Sequence, residues 1–162
     1  IHAGLTMIFK DDTIDIYINS DNMNKEYKIR QMIIECDSLA IPELDWEYSL
    51  ELNSIDFFNI MHEIQDMSEA CEIKIKNKMI QFKANGIIGE LKIKTTPNVI
   101  TVNTEDKFLK MGFSTKYLYH YTKARNISDR IQINFSKDTP IKLTYELDDG
   151  GFIYNFIAPK IQ

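Results

Sequence analysis

The stretch "YKIRQMIIECDSLAIPELDWEYSLEL", residues 27–52, decides how the rest of the chain is read. Both of its ends are β-like. Its middle, "SLAIPELDW" at 38–46, has neither a helical period nor strand alternation. Pro42 fixes its own φ, lacks an N–H and pushes Ile41 away from helix, so this piece is an irregular connection. Yet it carries Leu39, Ile41, Pro42 and Trp46 among Glu43 and Asp45. Apolar side chains on a connection either pin it to the flanking domains or wall a binding pocket.

Working outward, most segments alternate with period two. Ile14, Ile16 and Ile18 alternate with polar neighbours, as do Ile73 and Ile75, Leu91 and Ile93, Ile131, Ile133 and Phe135, and Ile141, Leu143, Tyr145 and Leu147. Such patterns predict antiparallel sheets with one face in a core and one face wet. Turn chemistry separates them at 10–12, 19–24, 77–78 and 148–151.

Two segments are helical. In 53–67, Phe57, Ile60, Met61 and Ile64 share a face, with Ser54 as the expected N-cap. In 114–124, Tyr117, Leu118, Tyr121 and Ala124 share a face, with Ser114 as cap and Lys116, His120 and Lys123 opposite. "MIFKDDTIDIYI" (7–18) echoes "INFSKDTPIKLTY" (133–145) as strand, charged turn, strand. The organisation expected is 1–31 as the C-terminal part of a first domain whose front is absent here, 32–46 as a connecting loop, and 47–162 as a second domain.

The 162 residues are 44% hydrophobic, which suits a globular chain, and the formal charge is −5. Cys36 and Cys71 are too few for a disulfide framework, and a reducing compartment fits them. No apolar run reaches membrane-spanning length. His2, His62 and His120 have no metal-ligand spacing, the cysteines form no C-x-x-C pair, and no Gly-rich phosphate loop follows a strand. Nothing marks a nucleophile with its base, so neither an enzyme nor a cofactor or metal is expected.

Residues 27–52 resemble, without a gap, the interdomain connecting loop of the proliferating cell nuclear antigen (PCNA) family of DNA sliding clamps. "FIYNFIAPKI" (152–161) resembles that family's terminal strand, and "FKANGIIGELKIK" (82–94) and "STKYLYHYTKA" (114–124) fall where it has its interface strand and second helix. The resemblance covers the latter two thirds of a clamp subunit. It implies an α+β clamp fold, with antiparallel sheets outside and two helices per domain on the inner face. Three such subunits form a ring around duplex DNA. It also implies docking of a polymerase, flap nuclease, ligase and other proteins that carry a clamp-interacting motif, in the nucleus or at a cytoplasmic viral replication site.

Carried over by position, the partner pocket comprises Leu39, Ile41, Pro42, Trp46, Pro140, Phe156, Ile157, Ala158 and Pro159. Trp46 and Phe156 stand where tyrosine is usual. Lys116, His120 and Lys123 would face DNA. Tyr27 and Ile29 on one edge (25–30), and Ile88, Leu91 and Ile93 on the other (88–94), would form the subunit seam. Asn77, flanked by Lys76 and Lys78, replaces the lysine that commonly accepts ubiquitin-type modifiers. The first helical region departs from the family. Over 53–72 it holds Asp56, Glu63, Asp66, Glu69 and Glu72 and no Lys or Arg, with Asn59 and His62 where channel arginines are usual. A specialised checkpoint or viral clamp relative with weaker DNA contact remains open, as does an unrelated β-rich carrier of small ligands.

Overall fold

A computed structural model describes residues 4–32, 44–104 and 108–160. The chain divides into two compact units, Ile1–Pro42 and Glu43–Gln162. In the first unit, β1 (Gly4–Phe9), β2 (Thr13–Ser20) and β3 (Met23–Arg30) form an antiparallel meander in that order. The register sets Leu5, Met7 and Phe9 opposite Ile18, Ile16 and Ile14, and sets Tyr27 and Ile29 opposite Ile16 and Ile14. Since alternate residues share a face, one face of this sheet is almost wholly apolar. Phe9 on that face is 70% exposed, and Asp15 is the unit's one buried residue among those described. Lys10 bonds the Asp15 carboxylate across the β1–β2 turn.

The second unit contains β4 (Tyr48–Asn53), α1 (Ser54–Met67), β5 (Ala70–Lys76), β6 (Met79–Gly86), β7 (Gly89–Thr95), β8 (Val99–Val102), β9 (Phe108–Ser114), α2 (Thr115–Tyr121), β10 (Arg130–Phe135), β11 (Ile141–Glu146) and β12 (Phe152–Ile157). A 3-10 turn, Thr122–Asn126, extends α2. Two antiparallel sheets result, ordered β12-β11-β10-β4-β8 and β7-β6-β5-β9. Helix α1 packs on β4 and β10 of one and on β6 and β7 of the other, and α2 lies beside α1. The α+β arrangement is the one the alternation and the two helical faces predict.

The core is the joint inner surface of both sheets under α1. It includes Leu50, Ile73, Ile75, Phe82, Ile131, Ile133, Phe135, Ile141 and Leu143, together with Phe57, Met61 and Ile64 of the helix. Phe57, at 0% exposure, alone contributes roughly 1.5–3 kcal/mol.

Local chemistry explains the boundaries, with three corrections to the sequence reading. Helix α1 is capped by Asn53, whose side chain accepts from the amides of Ile55 and Asp56. Ser54 lies inside the helix, buried, with no hydrogen-bond partner for its hydroxyl among the described residues. Ser114 sits at the N-cap of α2 but makes no side-chain cap bond. The face of α2 and its extension that is fully buried is Thr115, Leu118 and Thr122, whereas Tyr117 is 53% exposed. Tyr121 and Ala124 pack partly against the core. The 3-10 turn rotates the chain by about 120° per residue, so the α-helical projection fails beyond Tyr121. The β5–β6 hairpin turns on Asn77 and Lys78, both left-handed at φ 52° and 62°, the backbone of a two-residue turn.

Candidate functional site

The expected pocket draws on the connecting loop, the β10–β11 turn and the end of β12. Leu39, Ile41 and Pro42 lie outside the described residues. The loop's last residues, Asp45 and Trp46, and Glu47 just after them, are fastened to the turn by Ser136. Its buried hydroxyl donates to the Asp45 carbonyl at 2.8 Å and accepts from the Glu47 amide at 3.1 Å. The Lys137 amide donates to the Glu47 carboxylate at 3.2 Å, and the Asn103 side-chain amide donates to the Trp46 carbonyl at 3.0 Å. Trp46 is therefore half-buried beside the turn that holds Pro140. Ser136 and Asn103 carried no sequence signal, because their partners are 91 and 57 positions away.

Strand β12 pairs with β11 so that Ile157 opposes Ile141, the residue after Pro140. The strand stops there because Pro159 has no amide to continue the ladder. The Lys160 amide, the next one available, donates to the Gly112 carbonyl at 2.8 Å, and the Lys160 ammonium donates to the Glu69 carbonyl at 3.3 Å. These bonds lay 158–160 against the β9–α2 junction. A depression of about 400 Å³ opens there, lined by Phe156, Ile157, Ala158, Tyr117 and Tyr121, with Lys160 at its border. Tyr117 is thus an exposed wall residue of this surface, while Tyr121 borders it and also packs partly against the core. Trp46, Pro140 and Pro159 do not line it.

On the helix face, Lys116, His120 and Lys123 are all exposed. Lys123 belongs to the 3-10 turn, so the three do not make the straight stripe expected of one α-helix. Arg125 lies with its guanidinium 3.7 Å from the ring centroid of Phe58 on α1. Phe58, His62 and Tyr119 form a triangle of ring contacts beside it, with centroids 5.7–5.9 Å apart. The acidity of the first helical region is smaller than its sequence implied. Glu72 lies on β5, where it pairs with Lys74 and Lys110, and Glu69 lies beyond the helix. That leaves Asp56, Glu63 and Asp66 on α1 itself.

The two expected seam strands are both sheet edges, β3 and β7. Tyr27 and Ile29 are about half exposed. On the other edge, Ile88 belongs to the β6–β7 turn and is 82% exposed. Leu91 and Ile93 pack partly against the core. What β7 offers a neighbour is therefore its backbone, in the manner of any unpaired edge.

Comparison with known proteins agrees with these features. The family model described as proliferating cell nuclear antigen, C-terminal domain, matches residues 40–160. A probable DNA polymerase sliding clamp of Autographa californica nuclear polyhedrosis virus is 27% identical over 93% of this chain and 59% of its own length. Proliferating cell nuclear antigen of Saccharomyces cerevisiae is 32% identical over 83% of this chain and 55% of its own. Proliferating cell nuclear antigen 1 of Plasmodium falciparum is 29% identical over 94% and 64%. The chain thus spans less than two thirds of the length of each of these relatives. With two sheets bridged by α1, a terminal strand closed by Ala158-Pro159-Lys160, and a match through most of the second unit, the chain belongs to the proliferating cell nuclear antigen family, through its C-terminal domain.

Proposed function

We propose that this chain is part of a DNA sliding-clamp subunit. It encircles duplex DNA as a head-to-tail ring trimer and recruits polymerase, nuclease and ligase partners by their clamp-interacting peptides. Residues 1–31 are read as the closing part of a first clamp domain, 32–46 as the connecting loop and 47–162 as the second domain. The role is that of a scaffold, with no catalytic group or cofactor assigned. The observation that carries the reading is the fastening of residues 45–47 to the Pro140 turn, next to the β11–β12 pairing that ends at Ile141 and Ile157. The depression walled by Phe156, Ile157 and Ala158 suits a short helical plug with one aliphatic and two aromatic anchors. Each anchor gains roughly 1.5–3 kcal/mol on burial. The ordering cost leaves affinity near micromolar, about −8 kcal/mol.

Two further features support the reading. The open edges of β3 and β7 supply backbone for head-to-tail pairing. Lys116, His120, Lys123 and Arg125 supply sequence-independent attraction for phosphates. The proposed location is a nucleus or a viral replication site, in line with a nuclear antigen and a viral clamp among the relatives. The acids on α1 favour a second reading within the same fold, a specialised clamp with weaker DNA contact.

The test is fluorescence titration of the intact protein with a labelled peptide bearing a glutamine, an aliphatic residue and two adjacent aromatics. Saturable binding that perturbs Trp46 and weakens about tenfold in Phe156→Ala is the expected result. No saturable binding counts against the reading. Sedimentation of the intact protein as a trimer tests the ring.

A further inference from the structure

The face of the β7-β6-β5-β9 sheet that points away from the core is a lysine grid. Register places its residues in rungs across the strands. One rung is Gly112, Glu72, Lys83 and Lys92; the next is Lys110, Lys74, Gln81 and Lys94; the third is Phe108, Lys76 and Met79. Lys74 and Lys110 stand directly opposite each other, as do Lys83 and Lys92. Like charges in that position repel. Each pair is held by one shared acid: Glu72 takes Lys74 at 2.9 Å and Lys110 at 2.8 Å, and Glu90 takes Lys83 and Lys92.

Among the described residues, two glutamates against six lysines leave the face positive in a chain whose formal charge is −5. Lys76 and Lys94 have no carboxylate partner among the described residues. Between them lies a hollow of about 170 Å³, bordered by Lys74, Lys76, Lys94 and Gln81 and carrying Met79 and Phe108. These two apolar side chains are 46% and 52% exposed.

We propose that this face docks an acidic, extended peptide segment of a partner protein, with one aliphatic side chain of that segment seated between Met79 and Phe108. Charge complementarity selects an anion. The shape of the face selects a peptide over a nucleic acid. A phosphodiester chain has no aliphatic group for the hollow, a single exposed ring is a poor stacking platform, and the face holds no arginine fork among the described residues. Alternate carboxylates of an extended segment repeat every ~6.6 Å, the spacing of Lys74 and Lys76 or of Lys92 and Lys94 along their strands. The side chains stand perpendicular to the sheet, so the face stays open whether or not the β7 edge is paired. The proposal does not depend on the ring or on the pocket at the end of β12.

The test is fluorescence anisotropy of the intact protein with a labelled peptide of alternating Glu and Asp around one central Leu. The comparison probes are the same peptide with Ser for Leu, and an oligothymidylate of equal charge. Saturable binding is expected. It should weaken about tenfold in Lys76→Glu plus Lys94→Glu, measurably in the milder Lys76→Gln plus Lys94→Gln, and about threefold in Met79→Ser or with the Ser peptide. Lys116→Ala plus Lys123→Ala should leave it unchanged. Absence of saturable binding, indifference to both lysine pairs, or tighter binding of the oligothymidylate than of the Leu peptide would overturn the proposal.

Discussion

The Arg125 guanidinium lies over the ring of Phe58, 3.7 Å from its centroid, joining the turn after α2 to the exposed side of α1. A cation on an aromatic face gains about 0.5–1 kcal/mol where exposed and about 2 where desolvated. A double-mutant cycle of Phe58→Leu and Arg125→Met, read by urea unfolding, should return a coupling of about 0.5–1 kcal/mol. Additive effects would show that the stacking does not stabilise the fold.

Helix α1 offers a test of its cap. Asn53 accepts two amides, while the Ser54 hydroxyl is buried without a partner. Asn53→Ala should cost about 1 kcal/mol. Ser54→Ala should stay within about 0.5 kcal/mol, since it removes an unsatisfied group and places alanine in a helix. Denaturant midpoints of the two variants decide the cap, and the reverse order would restore Ser54 to that role.

The DNA reading predicts a salt signature. Lys116→Ala plus Lys123→Ala should lower affinity for duplex DNA and flatten the dependence of log K on log salt by about 1–2. Filter binding at several salt concentrations measures both. An unaltered slope would place the two lysines away from phosphates.

The lysine grid predicts behaviour in acid. Hydrogen bonds from Lys83 and Lys92 hold the Glu90 carboxyl down from 4.5 to about 2. For Glu72, burial acts to raise the pKa, but bonds from Lys110 and Lys74 outweigh it and the net shift is downward. A depressed carboxylate contributes stability that is present above its unfolded pKa and lost as pH falls through its folded one. Unfolding free energy of the wild type should therefore fall between pH 4.5 and about 2, and more steeply than that of Glu90→Gln. Parallel profiles would show that the Glu90 pairs do not form in solution.

Much of this architecture is legible along the chain. Ile73 and Ile75 on β5, and Ile131 and Ile133 on β10, alternate as buried residues must, and the apolar face of α1 is buried as its spacing requires. The face of α2 is read less well. Tyr117 is apolar enough to resemble core, but where it ends up depends on the neighbouring strand end, which no local period encodes. Glu72 illustrates the same limit. In sequence it extends an acidic run, and in the fold it is the shared partner of two lysines on adjacent strands.

By itself the sequence determined the alternating strands around Ile16, Ile73, Leu91, Ile131 and Ile141, the two helices, the turn at Asn77 and Lys78, and the family resemblance, because periodicity and turn chemistry act over a few neighbouring residues. Only the tertiary structure decided that Ser136 clamps the loop 91 positions away, that Tyr117 walls a surface depression, and that lysines from β5, β6, β7 and β9 converge on one face. Those outcomes follow from strand order and register, which are set when distant segments pair and bury a common core.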